Sequence, residues 1–262
     1  GETKNIIFSE FNKLIENIGI AETQVEINMK IRMPANLNLR VNNKFGNVYL
    51  DDFQGDVTID MANGKLKAHD LNGFCNLKIN FGDAIINRMD AGTLEIYYGK
   101  LNLSNARKLK ITSKTSDIVI TDIQDLTAHS SRDDYRIRMV RNFETESSWT
   151  DFSISEFSNQ SDIRMNFGDL SIEKIQQNFE LIVIDARSTN INLSFDQNVD
   201  MNFDITTNNE VSLPMSSIID QKEQIDEKEN IVRYIGRTGD IKTGEPKVRI
   251  RTSSGEVTLI KR

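Results

Sequence analysis

Aspartate recurs at a near-fixed interval along this chain. Asp117, Asp134, Asp151 and Asp169 lie 17 or 18 residues apart. If each opens one turn of a coil, neighbouring carboxylates stack at about 4.8 Å, the spacing of paired strands, and repel by about 0.9 kcal/mol in water. Two chemistries could offset that repulsion. Backbone N–H groups of local turns can donate to each carboxylate, or the column can hold a hard cation such as Ca2+ on its oxygens. Turn chemistry is the expected account, because the Gly-Gly-x-Gly-x-Asp repeat of calcium-binding β-rolls is absent. No metal is favoured and no cofactor is expected.

A second column lies two residues before the first and reads Phe45, Asn63, Phe81, Tyr98, Thr115, Arg132, Trp149 and Phe167. Aromatic rings repeated at one corner of a coil can stack as a ladder that stabilises it. Left partly exposed, they can also form a platform for a sugar or a protein partner. Trp149, with Tyr98 and Phe167, is the expected contact surface.

Other chemistries find little support. His69 and His129 stand alone near turns or rung ends. No Gly-x-Ser-x-Gly elbow, Cys–His pairing or zinc-type cluster is present. Cys75 falls in line with Val57 and Leu109 and reads as a small core residue. Asp133, Asp134, Arg136, Arg138 and Arg141 crowd one repeat and could serve a carbohydrate-active enzyme if they converged in a groove. A solvated charged face is the plainer reading of that cluster.

These columns follow from a repeat. Segments such as FGNVYL, FGDAII, YGKLNL, TSDIVI, WTDFSI and FGDLSI share an anchor at Gly46, Gly64, Gly82, Gly99, Ser116, Asp133, Thr150, Gly168 and Thr189. Apolar residues alternate after the anchor, as in Leu101 and Leu103, and before it, as in Leu94 and Ile96, which is strand periodicity. A strand with one apolar face buries it by stacking on the next copy. The fold expected is an all-β, single-stranded parallel β-solenoid, right-handed by the crossover rule, with about ten rungs of 17–18 residues and capped ends. The anchor glycine is expected to supply φ > 0. Ala128, Ser130, Thr145 and Ser147 replace larger residues in the middle rungs, which predicts that the middle is the least stable part.

Residues 1–36 read as an N-terminal cap, with a short helix over Phe8, Phe11, Leu14 or Ile15, and Ile18, then a strand from Val25 to Ile31 ended by Pro34. Residues 37–213 are the rungs. Residues 214–262 hold an excursion, polar at QKEQIDEKEN, and a closing hairpin-like unit from Val248 to Ile260, all within one domain. Hydrophobic residues make up 38% and charged residues 27% of the 262, as in a soluble globular chain. A net charge of −7 repels phosphate backbones, so nucleic acid is not an expected partner. No apolar run is long enough to span a bilayer. The chain begins at Gly1 without Met; it reads as one whose leader was removed, and such a leader could carry a lipid anchor.

The run IRMPANLNLRVNNKFGNVYLDDFQGDVTIDMANGKLKAHDLNG (31–73) and the closing PKVRIRTSSGEVTLIKR (246–262) resemble a bacterial adhesin β-solenoid family. It is a domain of unknown function related to the head domains of auto-transporter adhesins. The resemblance implies a secreted or cell-envelope protein acting in adhesion or surface scaffolding, with a surface glycan or protein as partner. It carries over no catalytic residue, so a non-enzymatic role is expected. A carbohydrate-active β-helix enzyme, or a sensory or regulatory ectodomain for an envelope component, are the alternatives.

Overall fold

The computed structural model describes residues 27–262 apart from 243 and 246. The chain divides into two units, Gly1–Pro34 and Ala35–Arg262. In the first, residues 27–34 form no strand. The strand expected from Val25 to Ile31 is thus not formed over its described part, where Ile27, Met29 and Ile31 are exposed; alternation makes a strand only where another strand pairs with it. The expected cap helix lies outside the described residues.

The second unit is all-β. Strands β1 (Leu39–Asn43), β2 (Val48–Leu50), β3 (Val57–Ala62), β4 (Lys65–Asn80), β5 (Asp83–Tyr97), β6 (Lys100–Lys114), β7 (Asp117–Ser131), β8 (Asp134–Ser148), β9 (Asp151–Ile175) and β10 (Leu181–Phe195) follow one another. Their pairing is parallel, rung upon rung, and the coil makes about nine turns. Lys100 sits opposite Asp83 and Asp117, and Asp134 opposite Asp117 and Asp151. The 17- or 18-residue period is therefore one turn of the coil.

Each long strand is two legs joined by a bend. In β8, Tyr135, Ile137 and Val140 point inward from the first leg; Phe143, Thr145 and Ser147 do so from the second. The legs face each other across a thin core: the rings of Phe143 and Phe152, from opposite legs, lie 5.2 Å apart edge to face. Cys75 is fully buried there, and burial pushes its thiol up to about 12, so it is an inert core residue. The small residues of the middle rungs do not leave the core empty. Tyr135, Phe143, Phe152 and Phe157, all fully buried, supply the volume that Ala128, Ser130, Thr145 and Ser147 lack, and Thr145 Oγ1 donates to the Ala128 carbonyl at 3.0 Å.

The corner corrects one expectation in part: the anchor takes positive φ at Gly46 (100°) and Gly168 (127°), but not at Gly64, Gly82 or Gly99. The left-handed backbone falls on the residue before the anchor: φ is 52° at Phe81, 57° at Tyr98, 52° at Thr115, 59° at Arg132, 58° at Trp149 and 62° at Phe167. Gly82 and Gly99 serve close approach instead. A Cβ at Gly82 would lie 2.3 Å from the Gly64 carbonyl oxygen, and one at Gly99 2.0 Å from that of Gly82, so at these two corners the local backbone would have to shift. Where the anchor is Ser116, Asp133, Thr150 or Thr189, its side chain is buried.

The C-terminal end is also built otherwise than expected. After β11 (Asn202–Thr207) and β12 (Val211–Ser212) come β13 (Ser217–Asp226), β14 (Ile231–Thr238), β15 (Val248–Ser253) and β16 (Val257–Lys261). β15 and β16 form no hairpin. They insert as a parallel rung between earlier ones: Val248 lies opposite both Ile182 and Phe203, and Val257 opposite both Ile191 and Val211. Val248, Ile250, Val257 and Leu259 are fully buried, as suits a rung with neighbours on both sides. The hairpin is the excursion itself. β14 pairs antiparallel with β11, and β13 pairs antiparallel with β14 as the outermost strand.

Candidate functional site

At the corner, backbone N–H groups are committed to stacking. Those of Tyr98, Thr115, Arg132 and Trp149 donate to carbonyls of Lys114, Ser131, Ser148 and Asn166 on the next rung, at 2.9–3.0 Å. The side chains of these residues project outward. Phe81 and Tyr98 stack with ring centroids 5.0 Å apart and planes 4° from parallel. Trp149 and Phe167 stack at 4.2 Å and 10°. Both separations are close to one rung, so the ring faces look along the coil axis. Trp149 is 57% exposed, Tyr98 47% and Phe167 37%.

Between the two stacks lie two rungs without an aromatic, carrying Thr115 and Arg132. The gap is a shallow trough of about 510 Å³, walled by Asp83, Lys100, Asp117 and Asp134 and floored by Gly99, Ser116 and Asp133. Tyr98 stands at one end and Trp149 at the other, three rungs or about 14 Å apart. The structure thus brings Tyr98 and Trp149 to one site and places Phe167 behind Trp149.

The aspartate column does not act as one group. Asp117 pairs with Lys100 at 3.4 Å and Asp134 with Arg136 at 3.5 Å. Asp151 Oδ1 accepts from the Asp169 backbone N–H, and Asp169 Oδ1 from the Asn190 side-chain amide, each at 2.8 Å. These partners offset the repulsion along the column. Among the described residues, no three His, Cys, Asp or Glu side chains gather as a metal site would need. Only Asp117 and Asp134 of the four line the trough.

Asp133, a repeat anchor that the sequence grouped with a solvated charged face, is only 6% exposed. Its Oδ1 accepts from the Ser116 backbone N–H at 2.7 Å. Its Oδ2 accepts from the Ser113 and Ser130 hydroxyls at 2.8 and 2.6 Å, and from the Ser131 backbone N–H at 3.0 Å. Tyr135, fully buried, reaches the Ser113 hydroxyl at 2.6 Å. Burial pushes the Asp133 carboxyl above its ordinary value, against the downward pull of these four donors. The signal in sequence was the run of small hydroxyl residues, Ser113, Ser116 and Ser130, which left room for a buried carboxylate.

The charged cluster considered for an enzyme does not converge. Asp133 points into the core, Asp134 pairs with Arg136, and Arg138 pairs with Asp122 on the previous rung. His69 lies 3.9 Å from Asp52 on an exposed surface, away from the trough.

Among comparisons with known proteins, the family model Toastrack DUF4097 matches residues 38–260. No curated protein and no solved structure matches the chain.

Proposed function

Since the chain belongs to the Toastrack family, a domain of unknown function, we propose a role for it from the corner trough: a non-enzymatic binding scaffold that holds a surface glycan between its aromatic faces. The observation that carries this reading is the placement of Phe81, Tyr98, Trp149 and Phe167 at φ between 52° and 62° while their rings stay exposed. A bulky residue in the left-handed region costs on the order of 1–3 kcal/mol. A stacked aromatic pair returns only about 0.5–1.5 kcal/mol, shared by two such residues. Asn63 occupies the same corner at φ 52°, and asparagine enters this region at lower cost. The coil thus tolerates a cheaper residue where it carries exposed rings, and strain held at one surface is a mark of function.

Location in the cell envelope or outside the cell, and a role in adhesion or surface scaffolding, are part of the same proposal. They rest on the resemblance of residues 31–73 and 246–262 to adhesin-type solenoids. An oligosaccharide array read with wild type and Trp149→Asn side by side tests it. Asparagine is chosen because the corner accepts it. Wild type should bind a defined subset of glycans and the variant should lose at least about tenfold in affinity, as expected for a buried aromatic contact. Binding unchanged in the variant would move the site off the trough; no binding by wild type would sink the glycan reading.

A further inference from the structure

The trough contains one charge that the protein leaves unanswered. Asp83 faces Lys65 at 3.9 Å, Asp117 faces Lys100, and Asp134 faces Arg136. Asp133 is enclosed by four donors. Arg132 alone of the charged side chains lining the trough is exposed and has no ion-pair or hydrogen-bond partner for its guanidinium. It projects from a left-handed backbone, φ 59°, one rung from Trp149 and two from Tyr98. A guanidinium offers a planar fork of donors matched to a carboxylate, sulfate or phosphate.

We propose that the trough selects an acidic oligosaccharide, its anionic group held by Arg132 and its sugar faces resting on Tyr98 and Trp149. The inference rests on the glycan reading above and adds the charge class. Three features set it apart from other anions. A nucleic acid brings a phosphate at every unit, and the trough offers one unpaired guanidinium to answer them. A peptide docking by its main chain needs free backbone groups, and the corner's N–H groups are spent on neighbouring rungs. A sugar needs neither: its C–H face stacks on an aromatic ring, while its hydroxyls meet Thr115 and the carboxylate walls. An anion spaced once per few sugars meets a single guanidinium.

The test measures affinity for neutral oligosaccharides, for their uronate- or sialate-bearing counterparts, for heparin fragments and for a polyglutamate peptide. Wild type is compared with Arg132→Asn, a change that φ 59° favours, so the variant's thermal midpoint should not fall. The sparsely charged glycans should bind wild type tightest. They should lose about ten- to a hundred-fold in the variant, the worth of a charge-assisted hydrogen bond, while neutral glycans keep their affinity. Neutral and acidic glycans binding alike, or acidic binding unmoved in Arg132→Asn, would overturn the inference and leave the glycan reading intact. Binding only to the densely charged heparin fragments would overturn the inference of a sparse anion and leave the glycan reading intact; binding only to polyglutamate, or no binding at all, would overturn both.

Discussion

Asp133 is a carboxyl in the core of a thin coil, and its four donors and its burial pull in opposite directions. Burial wins, so its proton is held more tightly in the folded chain than in the unfolded one. Such a group contributes its full stability below the ordinary carboxylate range. As pH rises, the unfolded chain ionises first; the contribution falls through the raised value of the folded state and is flat above it. Urea unfolding of wild type and Asp133→Asn between about pH 3 and 7 reads this directly. The variant loses one acceptor and should be less stable by about 1–3 kcal/mol at the acid end. The gap should narrow as pH rises. A gap that widens with pH would mean that the four donors outweigh burial. Arg132, the preceding residue, is exposed and is not among the groups that shift Asp133.

At the scale of the element, each rung combines an inward alternation that was legible in the sequence with a corner that was not. The period placed Leu101, Ile118, Phe152 and Leu170 in the core, and all are buried. It also paired Phe81 with Tyr98 and Trp149 with Phe167, which stack. That only Gly46 and Gly168 among the anchor glycines take positive φ has a plain cause. Glycine serves two ends, positive φ and close backbone approach, and spacing cannot tell them apart. The trough was half visible: its ends were aromatic letters three periods apart, but its unpaired Arg132 depends on which neighbours take the other charges. The two kinds of ring should respond differently to mutation. Phe152→Ala empties the core and should cost about 3–5 kcal/mol. Phe81→Asn trades a stack for relief of backbone strain and should change stability by less than about 1 kcal/mol in denaturant unfolding. A loss of several kcal/mol at Phe81 would make the ladder a structural device and weaken the case for a binding face.

Over the whole molecule, the unit Ala35–Arg262 repeats one local solution and then departs from it at its C-terminal end. An uncovered parallel strand invites another chain to pair. Here β14 covers β11 in the opposite direction, clasped by Arg233 on Asp204 through two hydrogen bonds of 2.9 and 2.6 Å, and β13 lies outside it with almost every residue exposed. The polar run QKEQIDEKEN is therefore the guard of an edge. Replacing Lys222 and Glu223 with valine should leave the fold intact and produce concentration-dependent association in size-exclusion chromatography; a variant that stays at wild-type size at high concentration would show that the antiparallel cap suffices without its charges. Alternation announced β15 and β16 but not their partners, because parallel and antiparallel neighbours demand the same inward pattern; β13 and β14 lay in a stretch read only as an excursion. The placement of β15 and β16 also bears on synthesis. Earlier turns can settle in the order in which they leave the ribosome, each on its predecessor. The turn from 202 to 212 cannot, for its seat on β10 is taken by residues 248–261, made later. That end of the coil stays unsealed until those residues have been translated, and a nascent chain stalled before them would present an open strand to whatever chaperone or neighbour is at hand.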